Sequence, residues 1–211
     1  IGKSGRTLRV RPLFTLHRKL NIYSCIIITM TIPTGGKFVI PEVVVTQFHL
    51  REGDIVSDFG AGSGFFLPAL SQVVGESGKV YACEIQRALV DKIGDTVLSE
   101  QLSNVHPLWC DLEEVNGIKI ANEELDVAIL INTLFQIEDK DTAVQEMGRT
   151  LRKGGKFFVV DWTESFAGMG PMPDNVIQAN ETEVLFERNG FVLERDFPAG
   201  DHHYGLAFRK I

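Results

Sequence analysis

A glycine-rich turn between two acids is the part of this chain that could hold a ligand. Asp58 ends an apolar strand pattern and is followed by Gly60, Gly62 and Gly64. Glycines there let the backbone turn tightly and let a ligand contact the main chain. Glu84 ends the next strand pattern, which in a doubly wound sheet lies beside the first, so its carboxylate would meet a ribose bound over the glycines. The pattern predicts a site for an adenosine-containing cofactor.

The spacing of the glycines separates two kinds of cofactor. The dinucleotide pattern G-x-G-x-x-G/A requires Gly or Ala at position 65, where this chain has Phe65. We expect a side chain of that size to obstruct the close contact between helix and strand that the third small residue serves. The pattern present is D-x-G-x-G-x-G, and it resembles the first motif of the class I S-adenosylmethionine-dependent methyltransferases.

Strand and helix patterns alternate along the rest of the chain. Residues 41–48, 63–73 and 86–99 have helical patterns, and Leu125–Ile131 is an apolar run typical of a strand buried on both faces. Two final strands are joined by only a few residues and must therefore be antiparallel. We predict an α/β fold with a Rossmann-like doubly wound sheet of about seven strands, parallel except for an antiparallel last strand. The closing hairpin also resembles the methyltransferase family, and the resemblance covers residues 39–210.

The resemblance implies S-adenosyl-L-methionine as the cofactor and assigns residues to its parts. In the family, the turn at Gly60 to Gly62 lies against the cofactor, Glu84 accepts hydrogen bonds from the ribose hydroxyls, and Asn132 meets the methionine portion. An acid at Asp111 contacts the adenine amino group. The cofactor-binding residues predicted in this way are Asp58, Gly60, Ala61, Gly62, Glu84, Ile85, Asp111, Leu112 and Asn132.

The methyl acceptor is expected above the ends of the fourth and fifth strands. Asp161 and Trp162 end the fifth strand, and His202 and Tyr204 open the last one, so we predict these four as acceptor-binding residues. Strand alternation points His202 and its neighbour His203 to opposite faces, and at most one of them faces a site. No carboxylate joins them at metal-ligand spacing, so we expect no metal, and no catalytic base is assigned.

The charge of the chain bears on the nature of the acceptor. The net charge is −7, but six basic residues and no acid precede Met30, which leaves 15 basic and 28 acidic residues and a net charge of −13 for the remainder. Such a body repels phosphates. The residues after Asn132 also differ from the Pro-Pro-Tyr continuation of enzymes that methylate nucleic-acid bases. We therefore expect a small-molecule acceptor and neither a nucleic-acid nor a membrane partner, and the oligomeric state is left open.

The first residues differ in composition from the rest. We expect residues 1–29 to be a basic segment that is disordered or foreign to the native protein, and residues 30–211 to form one methyltransferase domain. The apolar run in the first segment is too short to cross a membrane. The three cysteines show no metal spacing, which favours a reducing compartment, the cytoplasm.

The sequence thus predicts an enzyme that transfers a methyl group from S-adenosylmethionine to a small molecule. Two alternatives remain at this point. One is an NAD(P)-dependent oxidoreductase, against which Phe65 and the closing hairpin count. The other is a non-catalytic methyltransferase-like protein that binds the cofactor, because cofactor motifs do not reveal whether an acceptor site is productive.

Overall fold

The computed structural model describes residues 39–166, 168 and 170–211, and the predicted basic segment 1–29 lies outside them. Strands and helices alternate as the sequence predicts. The strands are β1 (Ile55–Phe59), β2 (Lys79–Glu84), β3 (Val105–Trp109), β4 (Leu125–Ile131), β5 (Leu151–Trp162), β6 (Phe191–Pro198) and β7 (His203–Lys210). The helices are α1 (Pro41–Gln47), α2 (Leu67–Val74), α3 (Arg87–Ser99), α4 (Lys140–Thr150) and α5 (Ala179–Arg188).

The seven strands form a single sheet in the order β3-β2-β1-β4-β5-β7-β6. Strands β1 to β5 pair in parallel, and β7 is antiparallel to both of its neighbours. The predicted fold, with its antiparallel last strand, is confirmed. The chain order reverses between β1 and β4, since β2 and β3 lie on one side of β1 and β4 on the other. In such sheets the crevice at the carboxyl ends of the two diverging strands is where ligands bind.

Apolar side chains cover the sheet on both faces. In β4, Val127, Ile129 and Ile131 belong to one apolar cluster, whereas Ala128 and Leu130 belong to the other. The first cluster includes residues of α1, α2 and α3, and the second includes residues of α4 and α5. Burial on both faces explains why β4 is apolar almost throughout its length. No helix within the described part of the chain is long and apolar enough to cross a membrane.

The helix after the glycine turn begins later than the sequence predicts. The expected helix started at residue 63, but α2 begins at Leu67. Gly62 and Gly64 have φ values of +56° and +85°, which lie outside the right-handed helical region. Residues 61–66 therefore form turns, and the N–H of Gly64 donates to the carbonyl of Ala61 at 2.8 Å.

One buried side chain ties the end of α2 to the start of β3. Asn104 is 9% exposed, and its Nδ2 donates to the carbonyls of Ser71 at 3.0 Å and Gly75 at 2.8 Å. Its Oδ1 accepts a hydrogen bond from the Ser71 hydroxyl at 2.5 Å. The amide is thus a second donor to both carbonyls, since that of Ser71 also accepts from the N–H of Gly75 and that of Gly75 from the N–H of Gly78, each at 3.1 Å.

Asn104→Ala should lower the free energy of unfolding by about 2 kcal/mol, because it removes three hydrogen bonds of a buried amide and leaves the Ser71 hydroxyl without its acceptor. Urea unfolding followed by circular dichroism measures the change. The matched control is Gln72→Ala on the exposed face of α2, which should change stability by at most about 0.5 kcal/mol. Equal effects of the two substitutions would contradict the role of the amide.

Candidate active site

A cavity of about 360 Å³ opens at the carboxyl ends of the first four strands, where the strand order reverses. Its size is within the range of small-molecule sites. All nine residues predicted to bind the cofactor line it, namely Asp58, Gly60, Ala61, Gly62, Glu84, Ile85, Asp111, Leu112 and Asn132. The fold therefore brings together residues that are spread over more than seventy positions of the sequence.

The glycine turn forms the floor of the cavity. The N–H groups of Gly60 and Ala61 both donate to the carbonyl of Cys83, at 2.8 and 2.9 Å, which fixes the turn against β2. A Cβ atom on Gly60 would lie 2.5 Å from the Thr133 hydroxyl, so this glycine is needed for close packing. A Cβ atom on Gly62 would have no neighbour closer than 4.0 Å. Gly62 is therefore a glycine for its positive φ, and its free side borders the cavity.

The carboxylate of Glu84 is held in place by the backbone on two sides. Its Oε2 accepts a hydrogen bond from the N–H of Gly62 at 3.0 Å, and its Oε1 accepts one from the N–H of Gln86 at 2.8 Å. The side chain is 6% exposed. Each carboxylate oxygen has more than one acceptor site. Glu84 therefore both orders the turn and retains the capacity to accept hydrogen bonds from a ligand.

Asp58 is a second buried acid, at the end of β1. It is 3% exposed, and burial, with the charge of Glu84 adding to it, raises the pKa of Asp58 from the ordinary value of 3.8 to about 7. Both causes disfavour the ionised form. The carboxyl group thus changes its charge near neutral pH at the base of the cavity.

Asn132 follows β4 with a φ of +52°, an uncommon conformation for a residue other than glycine. Its N–H donates to the carbonyl of Val160 at 2.8 Å. Its Oδ1 is buried and has no hydrogen-bond partner among the residues that the structure describes. A buried amide oxygen without a partner is costly, and a donor on a bound ligand would satisfy it.

The residues after β2 and β3 form the opposite wall. Ile85 is 52% exposed, and its carbonyl accepts a hydrogen bond from the indole N–H of Trp109 at 2.7 Å. Asp111 caps the turn that follows β3, since its Oδ1 accepts from the N–H of Glu113 at 3.0 Å. An apolar side chain and a carboxylate thus face the cavity from adjacent strand ends, as the sequence predicts.

The predicted acceptor-binding residues lie outside this cavity, and two of them point into the core. Asp161 is 2% exposed, and its carboxylate accepts from the N–H groups of Leu134 at 3.0 Å and Trp162 at 2.8 Å. The Tyr204 hydroxyl shares a hydrogen bond of 2.8 Å with Thr182. Both side chains have structural partners within the fold, so their placement lends no support to an acceptor-binding role.

The other two predicted residues lie near the ends of β5 and β7. Trp162 is 8% exposed, and its ring centroid is 4.2 Å from that of His203. His202 has a φ of +63°, and its Nδ1 lies 2.7 Å from a carboxylate oxygen of Glu164 while its ring stacks on Phe166. Their role towards an acceptor stays a prediction.

Two residues that line the cavity were not predicted correctly. One lies where it was not expected, and the other was not predicted at all. Phe65 is 65% exposed and lines the cavity, so it does not obstruct the contact between helix and strand as expected, because the chain still turns at this position. Glu113 was missed. Its Oε2 accepts from the N–H groups of Glu138 and Asp139 at 3.0 and 2.6 Å, which joins the loops after β3 and β4. Only its place just after a strand end could have indicated it.

Replacing glycines of the turn should separate packing from backbone strain. Gly62→Ala should lower the free energy of unfolding by about 1 kcal/mol, the cost of a left-handed conformation for a residue with a Cβ atom. Gly60→Ala should cost at least about 1 kcal/mol more, since its methyl group also meets Thr133. Denaturant unfolding measures both. Equal losses would show that the contact with Thr133 is easily relieved.

The raised pKa of Asp58 should make stability depend on pH. Between about pH 4 and 7 the folded state keeps a proton that the unfolded state has lost, so stability falls as the pH rises through this range. Asp58→Asn removes this dependence, and its stability relative to the wild type should increase from pH 4 to 7 and then level off. The control is Asp91→Asn on the exposed side of α3, which should follow the wild type at every pH. A pH-independent difference for Asp58→Asn would contradict the raised pKa.

Comparison with known proteins agrees with this geometry. Residues 57–159 match the family described as "Methyltransferase domain". A ubiquinone/menaquinone biosynthesis C-methyltransferase from Legionella pneumophila (strain Lens) is 32% identical over 131 residues, which are 60% of this chain and 50% of that protein. The chain thus spans about half the length of the curated relatives it matches.

Solved structures share the fold over most of the chain. A SAM-dependent methyltransferase from Aquifex aeolicus superposes with a TM-score of 0.76 and 28% identity, covering 82% of this chain and 91% of that one. The [4+2]-cyclase SpnF has a TM-score of 0.69 and 15% identity, covering 81% of this chain and 79% of that one, and shows the fold alone. The matched domain, the relatives and the sheet with its antiparallel last strand place the chain in the family of class I S-adenosylmethionine-dependent methyltransferases, whose cofactor is S-adenosyl-L-methionine.

Proposed function

We propose that this chain transfers a methyl group from S-adenosylmethionine to a small-molecule acceptor. The observation that carries the proposal is the cavity at the strand-order reversal, which gathers two buried acids and an amide oxygen that has no partner among the described residues. Since the chain spans about half of its curated relatives, the activity of the whole protein is part of this proposal.

The residues of the cavity fit the chemistry of the cofactor. Glu84 is placed to accept hydrogen bonds from a ribose diol, because its two oxygens are already oriented by the backbone. Asn132 Oδ1 would take a donor from the methionine amino group, and Asp111 one from the adenine amino group. Ile85 offers an exposed apolar side chain to the adenine ring. The remaining residues of the predicted set also line the cavity, namely Asp58, the turn from Gly60 to Gly62, and Leu112.

The bound cofactor supplies an activated methyl group on a positively charged sulfur. The chain itself has to orient the partners and exclude water, which accounts for much of the rate in reactions of this kind. The acids that line the cavity favour a cationic ligand. A dedicated base is not required by this proposal.

For the acceptor we propose a small planar molecule of the quinol type. Several curated relatives are named ubiquinone/menaquinone biosynthesis C-methyltransferases, which supports this class as the first candidate. The net charge of −13 after Met30 counts against a nucleic acid. A cytoplasmic location is part of the same proposal.

Two experiments on the full chain test the proposal. Isothermal titration with S-adenosylmethionine, S-adenosylhomocysteine and NAD should give heat for the first two only. Turnover is then measured as S-adenosylhomocysteine formed with an acceptor panel kept reduced under nitrogen, containing hydroquinone, naphthalene-1,4-diol and 1,4-dimethoxynaphthalene. Binding of the cofactor without turnover of any acceptor in the panel or in a metabolite extract would support a non-methylating protein, and NAD binding alone would support an oxidoreductase.

Substitutions at Glu84 test how the cofactor is held. Glu84→Ala should weaken S-adenosylmethionine binding by about 1–3 kcal/mol, because a charge-assisted acceptor is lost. Glu84→Gln keeps one acceptor oxygen and should lose less. Glu187→Ala, on the exposed side of α5, is the matched control and should bind as the wild type does. Unchanged affinity in Glu84→Ala would show that the ribose lies elsewhere.

A further inference from the structure

Two buried side-chain atoms have no hydrogen-bond partner among the described residues. They are Asn132 Oδ1 and His203 Nε2. The first lines the cofactor cavity. The second is in a side chain that is 8% exposed, at the same edge of the sheet but three strands away from β1. Buried polar atoms are rarely left without a partner, so this second atom calls for its own explanation.

The contacts of His203 define the chemical state of the free nitrogen. Its Nδ1 lies 2.8 Å from the carbonyl oxygen of Asp201, which can only accept, so Nδ1 carries the hydrogen. Burial lowers the pKa of His203 below its ordinary value of 6.5, against the hydrogen bond to the Asp201 carbonyl, which raises it, and with a smaller lowering by His202, so the neutral ring is favoured at pH 7. In a neutral ring with a hydrogen on Nδ1, Nε2 is a bare lone pair. This nitrogen can accept a hydrogen bond but cannot donate one, because it carries no hydrogen.

The strand register places His203 on the same face of the sheet as a residue that lines the cofactor cavity. Ile131, which lines the cavity, is paired with Val160 across β4 and β5. Trp162 lies two residues beyond Val160 on the same face of β5 and is paired with His203 across β5 and β7. His203 is thus on the face of the sheet that Ile131 shares. Two strand spacings, about 10 Å, separate β4 from β7.

The neighbouring candidates, one just before β7 and one within it, are already bonded. Tyr204 points to the opposite face, where its hydroxyl meets Thr182. His202 contacts Glu164 and Phe166. Among His202, His203 and Tyr204, only His203 leaves a buried acceptor atom without a partner among the described residues.

We propose that His203 Nε2 accepts a hydrogen bond from the methyl acceptor, whose O–H or N–H group lies at the end remote from the cofactor. This inference rests on the proposed function. A site with a bare lone pair rejects molecules that lack the matching donor, because the buried atom is then left unpaired. For an acceptor of the quinol type, His203 selects the reduced form, since its hydroxyl donates where the carbonyl of the quinone can only accept.

The lone pair can be observed directly in the full chain. Nitrogen-15 spectra of the protein saturated with S-adenosylhomocysteine should show His203 Nε2 without hydrogen and without a hydrogen bond at pH 7. Adding naphthalene-1,4-diol should shift this resonance, whereas 1,4-dimethoxynaphthalene, which has no donor, should not. A protonated or hydrogen-bonded Nε2 before any addition overturns the proposal, whichever part of the chain holds the partner.

Variants at the same position give a second measurement. His203→Phe removes the acceptor atom and should raise KM for naphthalene-1,4-diol about tenfold, the equivalent of one lost hydrogen bond. His203→Gln places an amide oxygen near the position of Nε2 and should recover most of that loss. Affinity for S-adenosylhomocysteine should be unchanged in both. His106→Gln, on the exposed side of β3, is the control.

The outcomes separate this proposal from the proposed function. If the wild type methylates naphthalene-1,4-diol while Nε2 does not respond and His203→Phe keeps the same KM, the role of His203 is overturned and the proposed function stands. Methylation of 1,4-dimethoxynaphthalene at a similar rate has the same meaning. If the wild type neither binds nor methylates any acceptor, the proposed function fails, and this inference fails with it.

Discussion

Apolar side chains cover the sheet on both faces, and this constraint decides where polar groups can meet a ligand. Side chains within the strands are enclosed by the two apolar clusters. Acids and amides can face a ligand where the strands end, and parallel strands all end at one edge. The order reversal between β1 and β4 opens a crevice at that edge. Asp58, Glu84 and Asn132 therefore line one cavity although they are far apart in the sequence. The site follows from the way the sheet is buried.

Backbone groups do much of the work of shaping the site. The carbonyl of Cys83 accepts hydrogen bonds from two N–H groups of the glycine turn. The carboxylate of Glu84 accepts a further one from the N–H of Gly62. The loops after β3 and β4 are joined in the same way through Glu113. Because these bonds join protein groups to one another, the fold itself holds the backbone that surrounds the cavity.

The sequence predicted the fold and a set of residues that the structure gathers around one cavity, because both depend on local patterns. Asp58, the glycines and Glu84 each stand at the end of a strand that can be read from neighbouring residues. The inward direction of Asp161 and Tyr204 depends on their pairing across β5 and β7, which no local pattern contains. The late start of α2 depends on positive φ values in the turn, and Glu113 acts on a loop about 25 residues further on. Such features arise from tertiary structure and could not be predicted from one sequence.

The contact between Gly60 and Thr133 has a consequence for how this chain can change. The two residues are 73 positions apart, yet the missing side chain of one leaves the room that the other fills. A larger residue at position 60 requires a smaller one at position 133, and the positive φ at position 60 restricts that exchange further. Among related sequences, the two positions should therefore covary, and transplanting the glycine turn into another protein of this fold requires moving the residue after Asn132 with it.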